Sequence, residues 1–130
     1  MLAYTTVGTN DYDAANEFYA ELLKPLGAKQ LWATDRFAGY GRKSGDPMFA
    51  VCKPYDENPA TAGNGTMITL GCQNQEQVKE LHDKAVELGG KSEGEPGPRG
   101  ETGQFYMAYI RDLDGNKIAF FAPGKVQAEA

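Results

Sequence analysis

The feature of this sequence that most restricts its fold is a repeated order of elements. Residues 1–54 contain, in order, a strand pattern, a helix pattern and three short strand candidates. A linker rich in Pro, Asn, Ala and Gly occupies residues 55–65, and residues 66–124 begin the same order again. Such a repeat is typical of two copies of one supersecondary unit. A single α+β domain over residues 1–130, built from two modules, is therefore predicted.

The helix of the first module is predicted within residues 9–27, where apolar side chains recur at helical spacing. Thr9, Asn10 or Asp11 can serve as its N-cap, because their short side chains accept a hydrogen bond from the first helical turn. A proline and a glycine close the pattern. The remaining residues of this module are predicted to form strands.

In the second module, a strand is predicted at residues 66–72 and a helix at residues 74–90. Residues 91–103 are rich in Gly, Pro and charged residues and are predicted to form a polar surface loop. Its part "GEPGPRGETG" has glycine at every third position, but three triplets are too few for a collagen helix. Arg99, near the middle of this loop, could reach a bound anion.

The stretch "RDLDGNKIAFF", residues 111–121, predicts a hairpin turn between two strands. Gly115 accepts a positive φ without steric cost, and Asn116 tolerates it better than most residues. The turn therefore indicates local structure and carries no chemistry of its own.

Composition restricts the function. The chain has 13 basic and 18 acidic residues, a net charge of -5, which argues against a nucleic-acid-binding protein. No apolar run is long enough to cross a membrane and no signal peptide is evident, so a cytoplasmic protein is predicted. Cys52 and Cys72 lie in apolar strand patterns and are predicted to be buried thiols.

Three segments, "YTTVGTNDYDAANEFYAELLKPLGA", "HDKAVELGGKSEGEPGPRG" and "FYMAYIRDLDGNKIAFF", resemble the vicinal oxygen chelate superfamily. This superfamily includes glyoxalase I, bleomycin resistance proteins, fosfomycin-modifying enzymes and extradiol dioxygenases. The resemblance covers nearly the whole chain, with Leu113 where the family usually has proline. It implies two βαβββ modules whose curved mixed sheets surround a cleft, and it implies a homodimer with the cleft at or near the interface.

The resemblance also implies metal ligands on the first and last strands of each module, usually His, Glu or Gln. Those positions fall here on Tyr4, Phe49, Met67 and Ala119, none of which is a usual ligand for a divalent ion. A neutral phenol and a thioether do not replace carboxylates and imidazoles. No metal and no other cofactor is therefore predicted.

Period-two alternation extends these four positions along their strands. If Tyr4 faces the cleft, Thr6 does too, and the same argument joins Phe49 to Val51. The resemblance further suggests that Tyr109 points into the cleft, and Arg99 is added from the loop. The candidate ligand-binding residues are then Tyr4, Thr6, Phe49, Met67, Thr69, Arg99, Tyr109, Ala119 and Phe121. Such a set is typical of an apolar small-molecule pocket, although stripes of this kind also form ordinary core packing.

No catalytic residue is assigned. His82 is the one histidine, and it lies on the second helix, on a face predicted to pack against the sheet. A Ser-His-Asp or Cys-His arrangement cannot be built from it. The carboxylates Asp11, Asp13, Asp112 and Asp114 fit helix caps and turns.

Three functions remain open. The first is a metal-free protein that binds an apolar or aromatic molecule, as in the bleomycin resistance branch. The second is a glyoxalase-like lyase, isomerase or dioxygenase, either with a metal held by other residues or without a cofactor, using Tyr4 or Tyr109 as an acid. The third is a structural or interaction module.

Overall fold

The computed structural model describes residues 1–124 and divides the chain into two compact units. The first unit comprises Met1–Thr66 and the short turn Leu113–Asn116. The second comprises Met67–Asp112 and the described residues from Lys117 to Gly124. Each contains a strand, a helix and three further strands, in that order. The predicted α+β fold with two βαβββ modules is confirmed.

The first unit is a mixed four-stranded sheet covered on one face by one helix. Its elements are β1 (Tyr4–Gly8), α1 (Tyr12–Leu22), β2 (Lys29–Ala33), β3 (Phe37–Gly41) and β4 (Met48–Cys52). The strand order is β1-β4-β3-β2, with β1 parallel to β4 and the other pairs antiparallel. Asp11 is the N-cap of α1, and its carboxylate accepts a hydrogen bond from the Ala14 amide at 3.1 Å.

The second unit repeats this arrangement. Its elements are β5 (Ile68–Gly71), α2 (Gln75–Glu87), β6 (Lys91–Arg99), β7 (Phe105–Arg111) and β8 (Lys117–Pro123). The strand order β5-β8-β7-β6 matches that of the first unit, with β5 parallel to β8. The sheet positions of the two first strands and the two last strands are therefore equivalent.

The predicted surface loop at residues 91–103 is wrong, because Lys91–Arg99 form strand β6. This strand lies at the edge of its sheet and pairs only with β7. Proline lacks the N–H that a central strand must donate, but an edge strand has one side without a partner strand and tolerates it. The register shifts between Ser92 and Gly97, where glycines accommodate irregular pairing.

In the first unit, the sequence interpretation placed Phe49 and Val51 on the wrong face of β4. Phe49 is only 6% exposed, and its ring lies 4.6 Å from that of Tyr19 on α1. Register pairing sets Thr5 beside Phe49 and Thr6 beside Ala50, so Tyr4 and Thr6 share their face with Met48 and Ala50. The resemblance assigned Phe49 and Ala119 to corresponding positions on the last strands of the two modules. The register instead matches Ala50 to Ala119, and a shift of one residue moves a strand's side chains to the opposite face.

Among residues 1–124, no helix is both long and apolar enough to cross a bilayer.

Candidate functional site

Each sheet has one face covered by its own helix and one face that this helix does not touch; the second is called the helix-free face. In the first unit, alternation and register place Tyr4, Thr6, Trp32, Phe37, Gly39, Met48, Ala50 and Cys52 on it. In the second unit it carries Thr69, Arg99, Met107, Tyr109, Lys117, Ala119 and Phe121. Seven of the nine predicted ligand-binding residues lie on these faces, Phe49 lies on the opposite one, and Met67 immediately precedes β5.

Three aromatic side chains form a cluster on the helix-free face of the first unit. The rings of Trp32 and Phe37 stack with an interplanar angle of 8° and a centroid distance of 5.1 Å. Tyr4 meets Phe37 edge to face at 5.7 Å. Trp32 remains 46% exposed and Tyr4 51% exposed, so their rings are available for further contacts. The sequence interpretation included Tyr4 and missed Trp32 and Phe37.

Small residues lie beside these rings. Gly39 pairs with both Trp32 and Ala50, so the central row of the face carries almost no side-chain bulk. A Cβ added to Gly39 would lie 3.2 Å from the Met48 Sδ atom and 3.3 Å from the Trp32 Nε1 atom. Glycine here allows the indole and the thioether to lie low across the sheet, beside exposed aromatic rings.

On the helix-free face of the second unit, Tyr109 is the central side chain. The Arg99 guanidinium carbon lies 5.4 Å from its ring centroid, and the Lys117 Nζ atom lies 5.2 Å from the same point. Both distances suit cation–π attraction. The Tyr109 hydroxyl lies 3.4 Å from the Met107 Sδ atom. The sequence interpretation missed Lys117 because it considered this residue only as the start of the strand that follows the hairpin turn.

The family resemblance implies a metal, and the side chains at the implied positions do not fit one. In the first unit the positions are the half-exposed phenol of Tyr4 and, after correction, the methyl of Ala50. In the second they are the Met67 thioether and the methyl of Ala119, which is fully buried. Within residues 1–124, no group of three or more His, Cys, Asp or Glu side chains could hold a metal ion.

His82 is a satisfied core histidine. It is buried on α2, its Nε2 atom lies 2.8 Å from the Ser92 hydroxyl, and its Nδ1 atom lies 3.2 Å from the Asp83 carboxylate. Since both ring nitrogens have partners on the helix side of the sheet, His82 is remote from the helix-free face. The sequence interpretation of this residue is confirmed.

The predicted buried thiols are free cysteines, but each is only half-buried. Cys52 lies on the helix-free face, and burial raises the pKa of its thiol. Burial raises the pKa of Cys72 to about 11, partly offset by a backbone hydrogen bond from Phe121. Neither group is a ready thiolate at neutral pH.

We expect Cys72 to react slowly with an aromatic disulfide reagent at pH 8. A rise in pKa from 9.0 to about 11 lowers the thiolate fraction at pH 8 roughly 100-fold. The more basic thiolate is also more nucleophilic, which raises its reaction rate about tenfold and leaves a net decrease of about tenfold. In a Cys52→Ser variant, the folded protein should react about tenfold more slowly at pH 8 than the same chain in denaturant, and this difference in rate should close as the pH rises to about 10. Equal rates at pH 8 would contradict the raised pKa.

Two open cavities lie away from the helix-free faces. One, of about 370 Å³, lies in the first unit and is lined by Tyr12, Arg36, Lys53 and Glu57 among others. Its cations already have partners, since Lys53 lies 5.5 Å from the Tyr12 ring centroid and Arg36 donates to the Pro54 carbonyl at 2.8 Å. The other, of about 380 Å³, lies in the second unit.

The hairpin turn connects β7 to β8 and groups with the first unit. The Asp114 carboxylate accepts a hydrogen bond from the Asn10 amide at 2.8 Å, and the Asn116 side-chain amide donates to the Gly8 carbonyl at 2.9 Å. Gly115 has φ of +89°, as its position in the turn predicts. The two polar side chains therefore hold the segment between β1 and α1, and the turn has a structural role.

Fold and site together define the class as a duplicated βαβββ protein whose helix-free sheet faces carry aromatic and polar side chains. Residues 1–120 match the family model of the Glyoxalase/Bleomycin resistance protein/Dioxygenase superfamily. The chain belongs to this superfamily.

Solved structures agree with this assignment. A glyoxalase/bleomycin resistance protein from Albidiferax ferrireducens is 36% identical with a TM-score of 0.84, over 93% of this chain and 98% of that one. A hypothetical protein from S. aureus is 26% identical with a TM-score of 0.68, over 94% and 92% of the two chains. A lactoylglutathione lyase from Agrobacterium tumefaciens, 21% identical over 93% and 92% with a TM-score of 0.66, shares the fold. No curated protein matched the chain.

Proposed function

We propose that the protein binds a small aromatic or apolar molecule on its helix-free faces, without a divalent metal ion, in the manner of the bleomycin resistance branch. The observation that carries this proposal is the cluster of Tyr4, Trp32 and Phe37, whose rings contact one another yet remain partly exposed beside a glycine floor. Exposed aromatic surface of this kind often marks a binding site.

Two further points support a binding role. The side chains at the family's metal positions are two methyl groups, a thioether and a phenol, none of which would hold a ligand through a divalent ion. Each face also has a few polar groups that can orient a ligand in otherwise apolar surroundings: the Thr6 hydroxyl in the first unit, and the Thr69 and Tyr109 hydroxyls in the second. A protein of this chemistry resembles the metal-independent binders of the superfamily more than its metal-dependent lyases.

Trp32 is the single tryptophan of the chain, so its fluorescence reports directly on the proposed site. Titration with para-nitrobenzamide, a neutral aromatic that quenches indole emission, should give saturable quenching. A Tyr4→Ala variant should weaken binding about three- to tenfold through lost ring contact. Tyr12→Ala, which changes an aromatic side chain at the separate cavity of the first unit, is the matched control and should bind normally.

Saturable quenching must be accompanied by heat in isothermal titration, since collisional quenching releases none. Linear quenching without heat, for this probe and for a panel of neutral aromatics, would contradict the proposal. Elemental analysis of protein purified without chelator distinguishes the metal-free binding protein from a metal-dependent enzyme. One equivalent of a divalent transition metal would show that other residues form a metal site.

We also propose a cytoplasmic homodimer. Part-exposed Trp32, Tyr4 and Phe105 offer apolar surface that a second copy could cover. Light scattering on the titration samples should give twice the chain mass, and a monomer at micromolar concentration would contradict this part of the proposal.

A further inference from the structure

We propose that the helix-free face of the second unit selects aromatic molecules that carry an oxyanion, a carboxylate or a phosphate, and that Arg99 and Lys117 bind this group beside the Tyr109 ring. The inference rests on the proposed function, because it names the chemical class of molecule that such a face binds.

Two cations converge on the Tyr109 ring. Arg99 and Lys117 come from β6 and β8, on either side of β7, and each lies within cation–π distance of Tyr109. The Arg99 Nη2 atom donates to the Glu95 carbonyl at 2.7 Å and the Nη1 atom to the Pro98 carbonyl at 3.2 Å. These bonds hold the guanidinium in place and leave further N–H donors for a ligand.

The positive charges of these two side chains are not neutralised by a described acidic side chain. In the part of the chain that the structure describes, neither Arg99 nor Lys117 forms an ion pair. The protein nevertheless carries five more acidic than basic residues. Two cations without a described ion pair, around one aromatic ring in an acidic protein, form a local positive site, and an oxyanion would supply the missing negative charge.

Lys117 also takes part in a cross-strand pair of like charges. Lys117 lies directly opposite Arg111 in the antiparallel β7–β8 pair. Like charges in directly opposed positions destabilise a sheet. Arg111 has an ion pair with Glu93 at 3.2 Å, whereas Lys117 has none among residues 1–124. An oxyanion bound at Lys117 would give this side chain the opposite charge that Glu93 gives to Arg111.

The apolar part of the ligand has a place next to the cations. Phe121 pairs directly with Met107, two residues along β7 from Tyr109, on the same face. An oxyanion near Lys117 would thus place an attached aromatic ring against Phe121 and Met107. Gly94 makes room for the Tyr109 ring and the Arg99 guanidinium to lie close to the β6 backbone, since a Cβ there would lie 2.8 Å from the Tyr109 Cδ2 atom and 3.3 Å from the Arg99 Nη2 atom.

The test compares para-nitrobenzoate with para-nitrobenzamide by isothermal titration of the full chain. The two probes have the same ring and nearly the same shape but differ in charge. We expect the carboxylate to bind at least threefold more tightly at low ionic strength, with an advantage that shrinks as salt is added. A third arm, para-nitrophenyl phosphate, shows which oxyanion the site prefers.

Arg99→Gln and Lys117→Gln should each remove most of the preference for the anion, measured as the ratio of the carboxylate affinity to the amide affinity of the same variant. Lys79→Gln is the matched control, since it removes the same charge from the exposed surface of α2, on the other side of the sheet. Equal affinities of both anions and the amide, or an anion preference that Lys117→Gln leaves intact, would overturn the inference while the proposed function stands. Failure of all probes to bind would count against the proposed function itself.

Discussion

Replacing Phe49 by Ala is expected to lower the free energy of unfolding by about 3–5 kcal/mol. The ring is almost fully buried, packs 4.6 Å from Tyr19 and lies between β4 and α1. Its removal leaves a cavity that rigid neighbours cannot fill. Since a domain of this size has a total stability of about 5–15 kcal/mol, the loss is large. Chemical denaturation followed by circular dichroism measures it.

Tyr4→Ala is the control for this experiment. It also removes an aromatic ring from the first sheet, but from the half-exposed opposite face, so we expect a stability loss of about 1 kcal/mol or less. Phe49→Leu, which keeps most of the buried volume, should recover most of the stability. If Phe49→Ala unfolded like the wild type and instead abolished ligand binding, Phe49 would lie on the helix-free face, as the sequence interpretation had placed it.

The two modules differ in how well the sequence predicts which face of a strand each side chain occupies. In the second module, the turn at residues 113–116 sets the register of β8, and Thr69, Tyr109, Ala119 and Phe121 were assigned to the correct face. In the first, β4 is "MFAVC", apolar at every position, so alternation cannot distinguish its two faces. The assignment of Phe49 then depended on the position that the family resemblance gave it, which was off by one residue.

Trp32, Phe37 and Lys117 were missed for a different reason, since their contacts depend on which strands lie side by side. Trp32 and Phe37 belong to neighbouring strands and form a cluster only through antiparallel pairing, which no local pattern reveals. Arg99 and Lys117 likewise meet at Tyr109 because β6 and β8 flank β7. The sequence placed Arg99 in a loop, since its glycines and prolines are typical of turns and an edge strand was not considered. Strand order carries this part of the site.

The adjacent residues Phe120 and Phe121 allow the face assignment of the second unit to be tested with a single pair of variants. Phe120→Ala is expected to lower the free energy of unfolding by about 3–5 kcal/mol, because its ring is fully buried on the helix side of β8. Phe121→Ala removes an identical group one residue further, on the helix-free face, where the ring is half-buried and lies 5.9 Å from Phe105. Its cost should be about 1–2 kcal/mol.

Ligand binding should show the reverse order. Phe121→Ala should weaken para-nitrobenzoate binding about tenfold through lost ring contact, and Phe120→Leu, which remains folded, should bind normally. Because the two side chains have the same chemistry and differ only in face, a propensity effect cannot produce opposite outcomes in stability and binding. Equal stability losses for the two alanine variants would contradict the register of β8, and normal binding by Phe121→Ala would exclude this face as the ligand site.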